Sequence, residues 1–339
     1  MTAAALEFLP WEPPAPGTAV EAAGELRWLR LPVPGALQHI NVWLAPGRSG
    51  RVLIDTGMNE PETHSAWQRL ATSEALSELS AILVTHHHPD HFGMAAAHGA
   101  RYGVPVRMSA PSRAAAANAL EPGDETGALA EYRARWGVDF AALVQRARAQ
   151  GAYGRLVSGL PPPSPFITEG EFPAELRDPW RASLHFGHAA GHVCLHWREA
   201  HLLISGDQLL PSISSNVSLY PGAGSPDPLG DFLAALGRLG QLPEETLVLP
   251  AHGQPFRGVA MRTAQLRRGH EERLARLSDF AAQPRTVAAV VGELFGARNL
   301  EGWNSLLAYG ETMAHMRYLE LRGGLTRIGE PDAVYWART

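Results

Sequence analysis

Along the first hundred residues the spacing of apolar positions changes from segment to segment, and each change predicts an element. Leu26-Arg27-Trp28-Leu29-Arg30-Leu31 alternates as a half-buried strand does, and Ile40-Asn41-Val42-Trp43-Leu44 follows after Pro34-Gly35. Arg51-Val52-Leu53-Ile54 reads as a buried strand that stops at the turn Asp55-Thr56-Gly57. A helix is expected over about 61–78. Another apolar strand, Ala81-Ile82-Leu83-Val84-Thr85, then runs directly into a cluster of histidines. Strand and helix alternate here as in a layered α/β domain.

Residues 109–160 differ. They are rich in alanine and arginine, helical in period, interrupted by Gly123, Gly137 and Gly151, and they end at Pro161-Pro162-Pro163. The expectation is an inserted helical segment lying over the face that carries the chemistry. Strands resume at 182–186, 193–197, 201–205 and 247–249. After Phe256 come a long helix (about 258–281), a short one (286–295), a third (311–322), and strands at 325–328 and 333–336 joined by Gly329-Glu330-Pro331-Asp332. The plan is an N-terminal arm (1–24), a catalytic domain (25–256) and a small C-terminal domain (257–339) whose helix, helix, hairpin order is winged-helix-like.

Composition narrows the options. The 339 residues, 45% hydrophobic, suffice for a large α/β domain with an appendage. The net charge of −5 gives no basic field for nucleic acid or an anionic membrane. All 29 basic residues are arginine, so a lysine Schiff base or lysine general base is excluded. The single cysteine, Cys194, excludes an internal disulfide and a multi-cysteine zinc site, and its apolar neighbours point to packing. The N-terminus lacks the pattern of a signal peptide and no stretch is long enough to span a membrane, so the cytoplasm is the expected location.

The decisive run is Thr85-His86-His87-His88-Pro89-Asp90-His91. At an extended strand end, residues i and i+2 point the same way, so His86 and His88 can grip one metal together. Pro89 breaks the strand, and the turn after it can swing Asp90 and His91 towards a neighbouring position. Three further ligand-type residues stand at strand termini: His192 after Gly191, Asp207 after Ser205-Gly206, and His252 after Pro250-Ala251. Open α/β sheets build their sites at such ends. Imidazole and carboxylate suit zinc, iron or manganese.

These motifs, beginning with Asp55-Thr56-Gly57, resemble in order and spacing those of the metallo-β-lactamase superfamily, and within it the glyoxalase II-like branch, over about residues 25–256. The resemblance implies an α/β fold, an αββα sandwich with two divalent metals, zinc first, at one rim. It implies that His86, His88 and His192 hold the first metal and Asp90, His91 and His252 the second. Asp207 would bridge the two, and Asp55 would orient a ligand histidine. Asp90 is the expected catalytic residue, orienting a metal-bridging hydroxide and handing a proton to the leaving group. His188, four residues before a ligand, departs from the family's usual approach to that position and, with Tyr220, is a candidate pocket residue. Quorum-quenching lactonases of the superfamily usually carry tyrosine where this chain has Leu210.

The expected activity is hydrolysis of a small acyl substrate, thioester, ester or lactone. The alternatives are a nuclease that uses the C-terminal winged helix and an iron redox enzyme of the same fold. Arginines 262, 267, 268, 273, 276, 317 and 322 are interleaved with acidic residues, which argues against a phosphate track. The C-terminal domain is instead expected to pack over the active site or against a second copy in a homodimer.

Overall fold

The computed structural model describes residues 6–71, 76, 78–121, 126–221, 224–296, 300–330 and 333–339. Two six-stranded sheets face one another. The first uses β2 (Ala19–Glu21), β3 (Arg27–Pro32), β4 (His39–Pro46), β5 (Arg51–Ile54), β6 (Leu79–Leu83) and β7 (Val106–Arg107) in sequence order. Its first four strands are antiparallel, and β6 and β7 join in parallel. The second sheet runs β1 (Glu7–Phe8), β12 (Phe256–Arg257), β11 (Leu247–Pro250), β10 (Leu202–Gly206), β9 (His192–Trp197), β8 (Arg181–His185), with β10 and β11 parallel. Residues of the N-terminal arm therefore add an edge strand to each sheet, through β1 and β2.

Alternation along the strands builds three cores. In β5, Val52 and Ile54 face the other sheet and Leu53 faces outward. In β10, Leu202 and Ile204 face inward and Leu203 outward. Trp28, Trp43, Val193, Leu195, Leu247 and Leu249 complete the layer between the sheets. The outer face of the first sheet packs on α1 (Pro61–Ala71), α3 (Ala95–Tyr102) and α4 (Ala110–Leu120). Between them lies the one-turn α2 (Pro89–Phe92). The outer face of the second sheet, including Cys194, Leu203 and Val248, packs on α8 (Pro228–Leu239) and α9 (Val259–Phe280). The four layers are helix, sheet, sheet, helix, so two buried sheet faces explain strands that read as continuous apolar runs.

The insertion supplies α4, α5 (Thr126–Trp136), α6 (Phe140–Gln150) and α7 (Tyr153–Leu156). Of the breaks expected there, Gly123 lies outside the described residues. Helix α7 reaches the histidine run, where the Tyr153 hydroxyl donates to the His87 carbonyl at 2.6 Å. Of the inserted helical segment expected over that face, α6 leans on α11 (Gly302–Leu321), which α5 meets through the Arg135–Glu320 ion pair. The chain ends with α10 (Val287–Phe295), α11 and the hairpin β13 (Leu325–Ile328)/β14 (Tyr335–Arg338).

Three differences from the sequence reading have local causes. The third C-terminal helix begins at Gly302 rather than near 311, because its small residues Gly302, Ser305, Ala308 and Gly310 are buried against neighbours and hide the apolar period. The last strand lies two residues later than expected; Pro331 and Asp332 of the expected turn are outside the described residues. Helix α8, with Asp227 capping it through the Gly230 amide, was not anticipated.

Candidate metal centre

Every candidate ligand stands where a strand stops. His86 and His88 follow β6, and Pro89 at the first position of α2 turns the chain so that Asp90 and His91 face inward. His192 opens β9, Asp207 follows β10, and His252 follows β11. His188 lies in the loop between β8 and β9.

The side chains converge as two groups: His86, His88, His188 and Asp207, and Asp90, His91 and His252. In the first, His86 Nε2 lies 2.9 Å from His88 Nδ1 and 3.2 Å from His188 Nε2, which is 3.5 Å from Asp207 Oδ2. In the second, Asp90 Oδ2 lies 3.3 Å from His252 Nε2 and 3.7 Å from His91 Nε2. The other oxygen of Asp207, Oδ1, is 3.4 Å from both His91 Nε2 and His252 Nε2. One carboxylate thus turns an oxygen to each group.

These distances fit a cation. A tetrahedral site with bonds of about 2.0–2.1 Å has ligand-to-ligand edges of roughly 3.4 Å. His91 Nε2, His252 Nε2 and Asp207 Oδ1 are buried, and among the described residues no hydrogen-bond partner reaches them. Their other nitrogens are committed. His91 Nδ1 donates to Asp55 Oδ2 at 2.7 Å, His252 Nδ1 to the His39 carbonyl at 2.6 Å, and His188 Nδ1 to the Asn216 carbonyl at 2.8 Å. That leaves each Nε2 lone pair aimed into the centre, the tautomer a ligand needs.

The electrostatics agree. Burial, then the neighbouring histidines, holds His86 well below the usual imidazole range, and His88 likewise, so both stay neutral. Burial opposes charge on His91 as well, but Asp207, Asp90 and Asp55 outweigh it and push that imidazole well above its usual value. Asp207 is held well below the ordinary carboxylate range by His252 and His91, despite burial. The second group therefore favours positive charge between its carboxylates. Donor chemistry, spacing and field all suit divalent metals.

Asp55 is a positioning residue. Its φ of 65° is a left-handed conformation rare outside glycine. In return its carboxylate takes the Thr85 amide at 2.8 Å, the Thr85 hydroxyl at 2.8 Å and His91. Sequence reasoning missed a second network. Asn41, 1% exposed, donates through Nδ2 to the carbonyls of Pro250 and Gly253 and accepts from Trp28 Nε1, fixing the loop that presents His252. The signal was there: one amide between Ile40 and Val42 in an apolar stretch of strand His39–Pro46.

Two of the expected site residues lie outside the two donor groups. His192 was expected to complete the first group, but its Nε2 accepts the Asp207 backbone N–H at 3.1 Å, and its ring stacks on His86 with centroids 4.7 Å apart. His188 is the imidazole grouped with His86, His88 and Asp207. Gly206 permits this approach, since a Cβ there would fall 2.6 Å from His192 Nε2. Tyr220 does not face the donors: its ring packs near Phe140, 5.5 Å between centroids, and against Gly310.

The comparisons agree with this architecture. The model of the metallo-beta-lactamase superfamily matches residues 36–252, and that of a metallo-beta-lactamase-like C-terminal domain matches 274–339. A Bacillus subtilis (strain 168) protein named "probable metallo-hydrolase" is 28% identical over 91% of this chain and 96% of its own length. A beta-lactamase domain protein from Burkholderia ambifaria superposes with a TM-score of 0.87 at 33% identity, covering 98% of each chain. A metallo-beta-lactamase family protein from Thermus thermophilus gives 0.75 at 27%, covering 93% of this chain and 98% of that one. With the family's motifs at the strand ends and its model matching most of the chain, the protein belongs to the metallo-β-lactamase superfamily.

Proposed function

We propose that the protein is a dinuclear metal-dependent hydrolase of small acyl substrates, thioesters first and esters or lactones next, in the glyoxalase II-like manner. The observation that carries the two-metal reading is Asp207, whose two oxygens face different donor groups. Two divalent cations held there, zinc the expected pair, would lower the pKa of a shared water towards neutrality and polarise a carbonyl oxygen. The protein's own part is positional. Asp55 and the His39 carbonyl keep His91 and His252 in the ligating tautomer. Asp90, buried and held as carboxylate by His91 and His252, can hold a water proton and return it to a leaving group.

The arginines of the C-terminal segment weigh against the nuclease alternative. Arg317 and Arg322 bind Glu320 and Asp227, Arg273 binds Glu311, and Arg262 and Arg267 donate to the carbonyls of Leu210 and Leu233. Groups so engaged make a poor phosphate track. The order of α9, α10, α11 and the hairpin supports a winged-helix-like reading of the segment, serving the substrate side or a homodimer contact. No described helix is long and apolar enough to cross a membrane.

The test is a panel of acyl thioesters, esters, lactones, phosphodiesters and short RNA with metal-replete protein. Acyl turnover that Asp90→Asn lowers at least about a hundredfold, the scale of general acid–base catalysis, is expected. Turnover confined to phosphodiesters would overturn the reading. Metal analysis with an absorption spectrum separates zinc from iron.

A further inference from the structure

An open cleft of about 300 Å³ is built almost wholly by the C-terminal segment and reaches Asn216, a hydrogen-bond partner of His188. Its floor is one face of α11, where Asn304, Leu307, Ala308 and Glu311 recur at helical spacing. Phe295 and Leu300 line it as well. The link to the metal centre is Asn216, which also lines the cleft: its carbonyl accepts from His188 Nδ1, and its Nδ2 donates to Glu311 Oε2 at 2.9 Å.

We propose that this cleft is the acyl-tail subsite, taking an uncharged linear chain of butyryl to octanoyl length whose carbonyl lies towards His188. The proposal rests on the acyl-hydrolase reading and adds where the tail goes. Size is the first argument. About 300 Å³ is the lower end for small-molecule sites, which suits a short chain. Charge is the second. Glu311 is the one ionisable residue among the described residues lining the cleft, and its oxygens are engaged by Arg273 at 3.0 Å and by Asn216 at 2.9 Å. Among the described lining residues none is a cation, and Phe295, Leu300, Leu307 and Ala308 offer apolar surface to a methylene chain. Continuity is the third: Asn216, which lines the cleft, is one hydrogen bond from His188 of the first donor group.

The experiment uses metal-replete full-length protein and octanamide, an acyl probe that keeps the chain and carbonyl, in isothermal titration. Leu307 is 38% exposed and Asn304 is also exposed, so Leu307→Trp and Asn304→Trp fill the cleft without entering the core. Octanamide should bind the wild type, and each variant should weaken it at least tenfold; the octanoyl-to-acetyl ratio of ester turnover should fall to match. No octanamide binding by the wild type, or unchanged binding in both variants, would overturn the subsite. So would loss of a dimer in sedimentation by Leu307→Trp with octanamide affinity intact, which would assign the cleft to a second copy. The outcomes separate the two readings. Octanamide binding that Leu307→Trp weakens, without turnover of any acyl substrate, removes the hydrolase and keeps the cleft. Acyl turnover with an unaltered chain-length ranking removes the cleft and keeps the hydrolase.

Discussion

Trp136, the last residue of α5, stacks on Trp336 of the terminal hairpin with centroids 4.8 Å apart and planes 19° from parallel. Both are fully buried, in a core that also holds Phe140 and Leu143 of α6, Val290 of α10, Met313 of α11 and Leu203 of the second sheet. The insertion, the C-terminal segment and the outer face of that sheet therefore share one hydrophobic core.

Stability should follow from that sharing. Trp336→Ala removes a large buried ring whose neighbours can collapse only in part, a change that costs about 3–5 kcal/mol. Urea unfolding is expected to show that loss as one transition with the midpoint lowered. A separate early transition for residues 257–339, with the rest unaffected, would show that the segment folds on its own.

The longer strands of the two sheets were legible in the sequence because they read as alternating or continuous apolar runs. The donors were legible because ligand chemistry clusters at the strand ends. What stayed hidden was three-dimensional. Nothing in His188-Ala189-Ala190-Gly191-His192 says which imidazole turns towards His86, because the choice depends on where the Asp207 amide and the Asn216 carbonyl come to lie. Helix α11 was read short because its buried side is small rather than apolar. The strands β1, β2, β7 and β12 are two or three residues long, too short to show a period.

His188 and His192 make a discriminating pair. His188→Ala removes an atom that belongs to the first donor group, so one of two metals should bind at least about tenfold more weakly in a chelator competition, the second remaining tight. His192→Ala removes the acceptor of the Asp207 N–H, so it should act more mildly and on both sites through that bridging residue. A reversed result, with the first metal lost in His192→Ala and kept in His188→Ala, would return the ligand role to His192.

Acid should weaken the fold through a histidine pair that touches no metal donor. His315 Nδ1 donates to the Glu311 carbonyl at 2.8 Å, which leaves its Nε2 to accept from His270 Nδ1 at 3.1 Å. His270 Nε2 is then an acceptor facing the Ser214 hydroxyl at 3.5 Å, with Phe232 edge-on and Arg273 nearby. In this arrangement both rings are neutral. Burial, then His315 and Arg273, pushes His270 down to about 3; burial, with Arg273 acting against the Glu311 carbonyl, pushes His315 down to about 4. In the unfolded chain both take up a proton near pH 6.5, and in the folded protein they do not. Unfolding therefore binds protons between about pH 6.5 and 4. The stability the pair contributes is complete above that window and is lost as pH falls through it, by up to about 1.4 kcal/mol per pH unit for each ring. Acid also strips metals from imidazole ligands, so the measurement is a difference between wild type and the double variant His270→Gln/His315→Gln, in which that loss cancels. Denaturant unfolding from pH 7 to 4.5 should give a shallower decline for the variant. Parallel curves for the two proteins would mean that the pair titrates no differently in the folded and unfolded chain.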